Sequence, residues 1–383
     1  MSQETFEREL ARHADGVHGA PLTFDDVRGK ARSIRRRRRT AAAGAVAAAA
    51  ALVVIVPSVL AGGGGHRSDE PPVAPSSTKG VDPGHDGVPV LREGAITYDD
   101  GTRIRPRVGN DRIVGFTTLG SDRWVVSVLP DSGQTEAVVI DDSGQALDRY
   151  PISGALVAAD DHEAVAWVDP AGAPQVLVAG AERPLSLPPV EGRSPTAVAL
   201  VGACPDDCRV IGRDAGGAGL GSSWSVSTDG DVQALPGSIP AVIDATADGS
   251  LLAVIDGYAP DDIHVCSGAY DPGLGDFRWH GCDDNVFEFA PDGGLVATTF
   301  AEGLGPTRIT VRDAADGRVV GEVQGGWISS FAWEDATHLL VVRVADDGGT
   351  LLERWGPEGT TTVLEGPTTD MDLLEPSLQL PLG

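Results

Sequence analysis

Lysine is nearly absent from this 383-residue chain: of 29 basic residues only Lys30 and Lys79 are lysine, and the rest are arginine. Aromatic residues make up 5% of the sequence. No G-x-S-x-G, H-E-x-x-H, G-x-x-x-x-G-K-[ST] or G-x-G-x-x-G motif occurs, so hydrolase elbows, zincin helices and phosphate-cradling loops have no support. Basic charge is also missing from most of the chain. Residues 1–39 hold ten Lys/Arg against six Asp/Glu, whereas the remainder holds 19 against 50. A surface that acidic repels phosphate backbones and excludes direct nucleic-acid binding by the large C-terminal region. Uninterrupted helix is scarce as well, because 50 Gly and 27 Pro exceed what helix interiors tolerate and point to many short strands joined by turns. The 41% apolar content is enough for a packed core.

One long uncharged run is present. Residues 40–61 read TAAAGAVAAAAALVVIVPSVLA, and 22 residues of helix would rise about 33 Å, enough for a bilayer core of roughly 30 Å. Arg35, Arg36, Arg37, Arg38 and Arg39 precede it directly, so the positive-inside rule puts the N-terminus in the cytoplasm and the C-terminal region outside the cell membrane. The alternative is a cleaved signal peptide ending at Val59-Leu60-Ala61; either way the acidic region is exported. Residues 2–14 and 23–34 read as short amphipathic helices of a cytoplasmic tail, which serves topology or docks a cytoplasmic partner. Residues 62–92 have the Gly/Pro/Ser composition of a flexible spacer, leaving 93–383 as the exported domain.

The four cysteines all lie beyond the apolar run. In an oxidising compartment the local pairing, Cys204 with Cys208 and Cys266 with Cys282, is the expected one of three connectivities, and the sequence does not exclude the other two.

An acidic turn followed by an apolar strand recurs along the domain, at Asp122, Asp161, Asp206, Asp248, Asp292 and Asp335. The gaps are 39, 45, 42, 44 and 43 residues. Apolar strands precede several copies, as at Val242 to Ala245 and Val286 to Ala290, and two more follow, as at Arg308 to Arg312 and Arg318 to Val323. Four strands per period of this length, repeated, are the signature of a β-propeller. Extending the period predicts a seventh blade shared between the termini. Ala95 to Tyr98 and Thr102 to Arg107 supply its third and fourth strands, and Met371 to Leu374 and Ser377 to Leu380 its first and second. The expected fold is therefore all-β: a seven-bladed propeller closed by a two-plus-two "Velcro" blade, preceded by one transmembrane helix and a short helical tail.

Phe289-Ala290-Pro291-Asp292-Gly293-Gly294-Leu295-Val296 resembles the F-S-P-D-G-x-x-L-A turn of TolB-like and WD-repeat propellers, over about residues 95 to 381. The Gly-His and Trp-Asp pairs of true WD repeats are missing, so the resemblance is closer to the TolB-like side. The layout also resembles uncharacterised actinobacterial membrane proteins, in keeping with the arginine bias, and implies no particular activity.

Candidate chemistry is thin. His264-x-Cys266 and His280-x-Cys282 place each His on the face of its Cys if both lie on strands, a set suited to zinc or copper unless the cysteines pair with each other. Asp261-Asp262 and Asp283-Asp284 offer calcium oxygens or, more simply, solvated loop charge. The repeated Asp-Gly turns need no ion, and most of the seven Trp are expected between blades. No cofactor is expected and no catalytic residue stands out. Three functions stay open: an extracytoplasmic binding or sensing propeller for a protein or small-molecule ligand, an envelope scaffold, and a lactonase-like or cyclotransferase-like enzyme.

Overall fold

The computed structural model describes residues 87–190, 195–214, 221–237, 239–258, 265–301, 306–344, 349–357, 359–368 and 378–382. The basic run Arg35 to Arg39, the apolar run 40–61 and the tail lie outside these residues, as do His264, Asp261-Asp262 and Met371 to Leu374.

Apolar runs bounded by Gly- and Asp-rich turns give, among the described residues, 28 short strands arranged as seven four-stranded antiparallel sheets. Blade 1 shows the pattern, with Arg112–Leu119, Arg123–Leu129, Glu136–Asp141 and Ala146–Pro151 paired in sequence order. Blades 2 to 6 repeat it over 153–186, 195–234, 241–281, 285–324 and 327–368. Second strands carry apolar runs, such as Ala164–Val168 or residues 339–342, because neighbouring blades cover both of their faces. The predicted acidic turns all lie between first and second strands. Their carboxylates accept nearby backbone N–H groups: Asp161 from Glu163, Asp248 from Ser250, Asp292 from Gly294 and Asp335 from Thr337.

Seven apolar clusters hold the described residues together, and every one straddles a junction between adjacent blades. Trp124, Trp167, Trp224, Trp333 and Trp355 are buried in these clusters, as the blade-packing reading of the tryptophans expects. A polar clamp recurs as well. Ser223 Oγ accepts the N–H of Val242 and donates to the Pro240 carbonyl, and Ser267, 44 residues on, does the same with Val286 and Asp284. Each serine pins the first strand of the next blade.

The closing blade differs from expectation in its split. Its order is Leu378–Gln379, Val90–Arg92, Ala95–Thr97, Arg103–Ile104, so the C-terminus supplies one strand and the N-terminus three. Ala95–Thr97 and Arg103–Ile104 are the third and fourth strands, as the period predicts. Val90–Arg92, assigned by composition to the spacer, is the second. It joins Ala95–Thr97 through Glu93-Gly94, where both residues have positive φ, 47° and 70°. That two-residue hairpin ordinarily uses Asn-Gly or Asp-Gly, and Glu is a poor signal for it.

Leu378 and Leu380 are buried in the cluster that joins this blade to blade 6. Leu378→Ala should cost about 2–4 kcal/mol in urea unfolding. The loss should shift one cooperative transition of the whole ring; a separate early transition confined to the closing blade would contradict shared closure.

Candidate functional site

The first strands converge on the propeller axis, and two of them carry an acidic residue where the equivalent positions of blades 1, 3 and 6 hold the small residues Gly115, Ala199 and Ser330. In blades 4 and 5 the pairing register slips between Val242 and Asp244 and between Val286 and Glu288. A bulge of this kind inserts one residue and re-aims the side chain that follows. Asp244 and Glu288 are 44 residues apart, one repeat, and both line a cavity of about 80 Å³. Asp160, in the first turn of blade 2, lines it too, with Thr118 from blade 1 and Trp333 and Glu334 from blade 6. The termini complete the wall through Val88, Pro89, Pro381 and Leu382.

Each part is held in place. The Phe289 N–H donates to Asp244 Oδ2 at 2.7 Å, tying blade 5 to blade 4. Trp333 Nε1 donates to the Glu288 carbonyl at 3.2 Å, tying blade 6 to blade 5. Glu334 is paired with Arg354. Leu382 donates its N–H to the Phe116 carbonyl at 2.8 Å, and its side chain lies where a Cβ on Gly115 would sit, 2.8 Å from Leu382 Cδ1. A side chain at position 115 would have to displace the tip of Leu382.

Among the described residues no Lys or Arg lines this cavity. Burial, then the charges of Asp244 and Asp161, push the Asp160 carboxyl up to about 7. Burial also pushes Asp244 up to about 7, against the hydrogen bond from Phe289. Glu288 is raised well above the usual carboxylate range by burial, then by Asp244 and Asp160. Three carboxyls drawn from three blades are thus all pushed upward, because ionising all of them in one confined space is costly.

The residues singled out from sequence fare differently. Cys204 is bonded to Cys208 and Cys266 to Cys282. The second bond takes both thiols of the His/Cys set. His280 Nε2 lies 2.9 Å from Asp256 Oδ1, and His264 lies outside the described residues. Among the described residues no group of three or more His, Cys, Asp and Glu is placed to hold a metal ion. Asp284 is not a solvated loop charge. It is buried and receives Arg308 at 2.5 Å and Arg312 at 2.7 Å. Burial alone would raise its carboxyl, but the hydrogen bonds from Arg312 and Arg308 hold it below the usual range. Asp160, Asp244 and Glu288 were not among the sequence candidates. Their signal was one acidic residue breaking each of two apolar first strands at the same repeat position.

Stability should follow the channel carboxyls between about pH 4 and pH 7. A carboxyl near 7 when folded and 3.8 when unfolded binds its proton more tightly in the folded state, so its contribution is lost as pH rises through that window. The protein should melt lower at pH 8 than at pH 5, with Asp160→Asn flattening the decline and melting about 2–4 °C above the parent at pH 8. Parallel melting curves for the two proteins across this range would refute the assignment.

No family model matches the chain, and no curated protein matches it. Solved structures of similar fold include the crystal structure of a mitotic checkpoint complex, at 15% identity over 81% of this chain and 89% of that one, with a TM-score of 0.47. Another is the crystal structure of the RRP9 WD40 repeats, at 12% identity over 68% of this chain and 81% of that one, TM-score 0.47. Such similarities concern the fold alone, and no activity or partner is transferred from them.

Proposed function

We propose that this chain is a membrane-anchored protein whose propeller lies outside the cytoplasm and acts as a binding or sensing module, with the acidic channel end as its recognition site. The observation that carries this reading is the convergence of Asp160, Asp244 and Glu288 from three blades on one cavity that, among the described residues, is lined by no Lys or Arg. A merely structural core would satisfy such groups with arginine, as it does at Asp284, or replace them with apolar residues.

The anchoring part of the proposal rests on sequence: five consecutive arginines and then 22 uncharged residues. The two disulfides support export, since paired cysteines are characteristic of oxidising compartments. A second reading, an envelope scaffold that uses its rim alone, is favoured by one feature. Leu382 and Pro381 occupy part of the channel end, which narrows it to a small cavity.

Two measurements test the proposal. Protease added to intact spheroplasts should digest the propeller, and the undigested protein should weigh four hydrogens less than its reduced form. A protected propeller with free thiols would place it in the cytoplasm and end the export reading. Crosslinking of the full-length protein in its native membrane should capture a reproducible partner or ligand from outside. The double variant Asp244→Asn/Glu288→Gln should lose that capture if the channel end is the site and keep it if only the rim is used.

A further inference from the structure

We infer that the channel end binds a primary ammonium group carried on a short methylene chain. This deepens the binding-module reading and rests on it. The acidic cluster alone would not suffice. Thr118 supplies a second, independent observation: the residue is 4% exposed, it lines the same cavity, and among the described residues its Oγ1 has no hydrogen-bond partner. A buried hydroxyl without a partner is costly, and its oxygen is available to accept. An ammonium is the complementary group: three donors, no acceptor, and a compact positive charge.

The walls fit the rest of such a ligand. Phe289, Ala332, Trp333 and Leu382 line the cavity beside the carboxyls, and an aliphatic stem packs on apolar surface of this kind while its charged tip meets the acids. The volume of about 80 Å³ holds an ammonium tip and a few methylenes, since a water takes up about 30 Å³ of liquid volume. A bare metal ion would need several oxygens within one coordination shell, and among the described residues no such group of acidic, His or Cys ligands occurs. An anion would meet Asp160, Asp244 and Glu288 with no Lys or Arg among the described lining residues to offset them.

The titratable groups facing the ligand are Asp160 and His162 from blade 2, Asp244 from blade 4, Glu288 from blade 5 and Glu334 from blade 6, the last already paired with Arg354. Asp161 adjoins Asp160 and repels it. A bound cation replaces the protons that these carboxyls hold among themselves, so binding near neutral pH releases protons.

The experiment is calorimetric titration of the full-length protein in detergent at about pH 7, with 1,4-diaminobutane as one probe. The other is the peptide acetyl-Gly-Gly-Lys-Gly-Gly-amide, with its norleucine counterpart as control. The expected result is one saturable site for at least one amine and none for the norleucine peptide. The binding heat should differ between phosphate and Tris buffers at equal affinity, which reports proton release. A response to the diamine alone assigns a free small amine, and a response to the lysine peptide alone assigns a protein side chain; both support the inference. Glu288→Gln should weaken binding by at least about thirtyfold and Thr118→Val by about fivefold, each keeping the parent's cooperative melting. The inference is overturned by no saturable heat from either amine, or by binding that Glu288→Gln leaves unchanged. If the amines fail while crosslinking still captures a partner that Asp244→Asn/Glu288→Gln releases, only the ammonium assignment falls. If both fail, the module reading falls with it.

Discussion

Packing of each blade against its two neighbours is the constraint on which the rest of this structure depends. A four-stranded sheet of this size buries little within itself, and here every apolar cluster among the described residues spans two blades. Stability is thus a property of the junctions. A ring is the arrangement in which seven blades have seven junctions and no blade presents an uncovered face. The buried tryptophans and the serine clamps at Ser223 and Ser267 belong to this constraint, because they fix how one first strand meets the blade before it.

Closure links the ends of the propeller to its axis. Leu378–Gln379 is the innermost strand of the closing blade, and the residues that follow turn into the channel end, where Leu382 reaches Phe116 and the space left by Gly115. The same few residues complete the ring and form a wall of the acidic cavity. Geometry at the site is therefore coupled to integrity of the ring, and a ligand that contacts Leu382 also bears on the closing strand.

Aspartate plays three physical roles here, and they are separated by surroundings rather than by residue type. In the repeated turns it is solvated and accepts backbone N–H groups, which sets the hairpins. At position 284 it is buried between two arginines and stays ionised. At the channel end, Asp160 and Asp244 are crowded by protein and by each other with no Lys or Arg lining the cavity among the described residues, and their carboxyls are pushed up to about 7. Only the third arrangement leaves a demand for positive charge that a ligand can meet.

The period, the turn positions and the local cysteine pairs were legible in the chain, because each depends on residues a few positions apart: alternation, Asp-Gly turns, and thiols in reach of one hairpin or turn. The number of blades followed from extending the period past the six turns to both ends of the domain. The split of the closing blade was not legible, since Val90–Arg92 is three residues long and its Glu-Gly hairpin lacks the usual turn chemistry. Nor was the role of Asp284, whose arginine partners are 24 and 28 residues away on another strand of its own blade. The acidic cavity lay furthest from reach. Asp160, Asp244 and Glu288 are separated by 84 and 44 residues in sequence, and they meet because the first strands of different blades converge on one axis. Sequence alone determined the repeating unit, because that unit is stabilised by local geometry; the tertiary structure decided where charge is confined, because confinement exists only once the ring has closed.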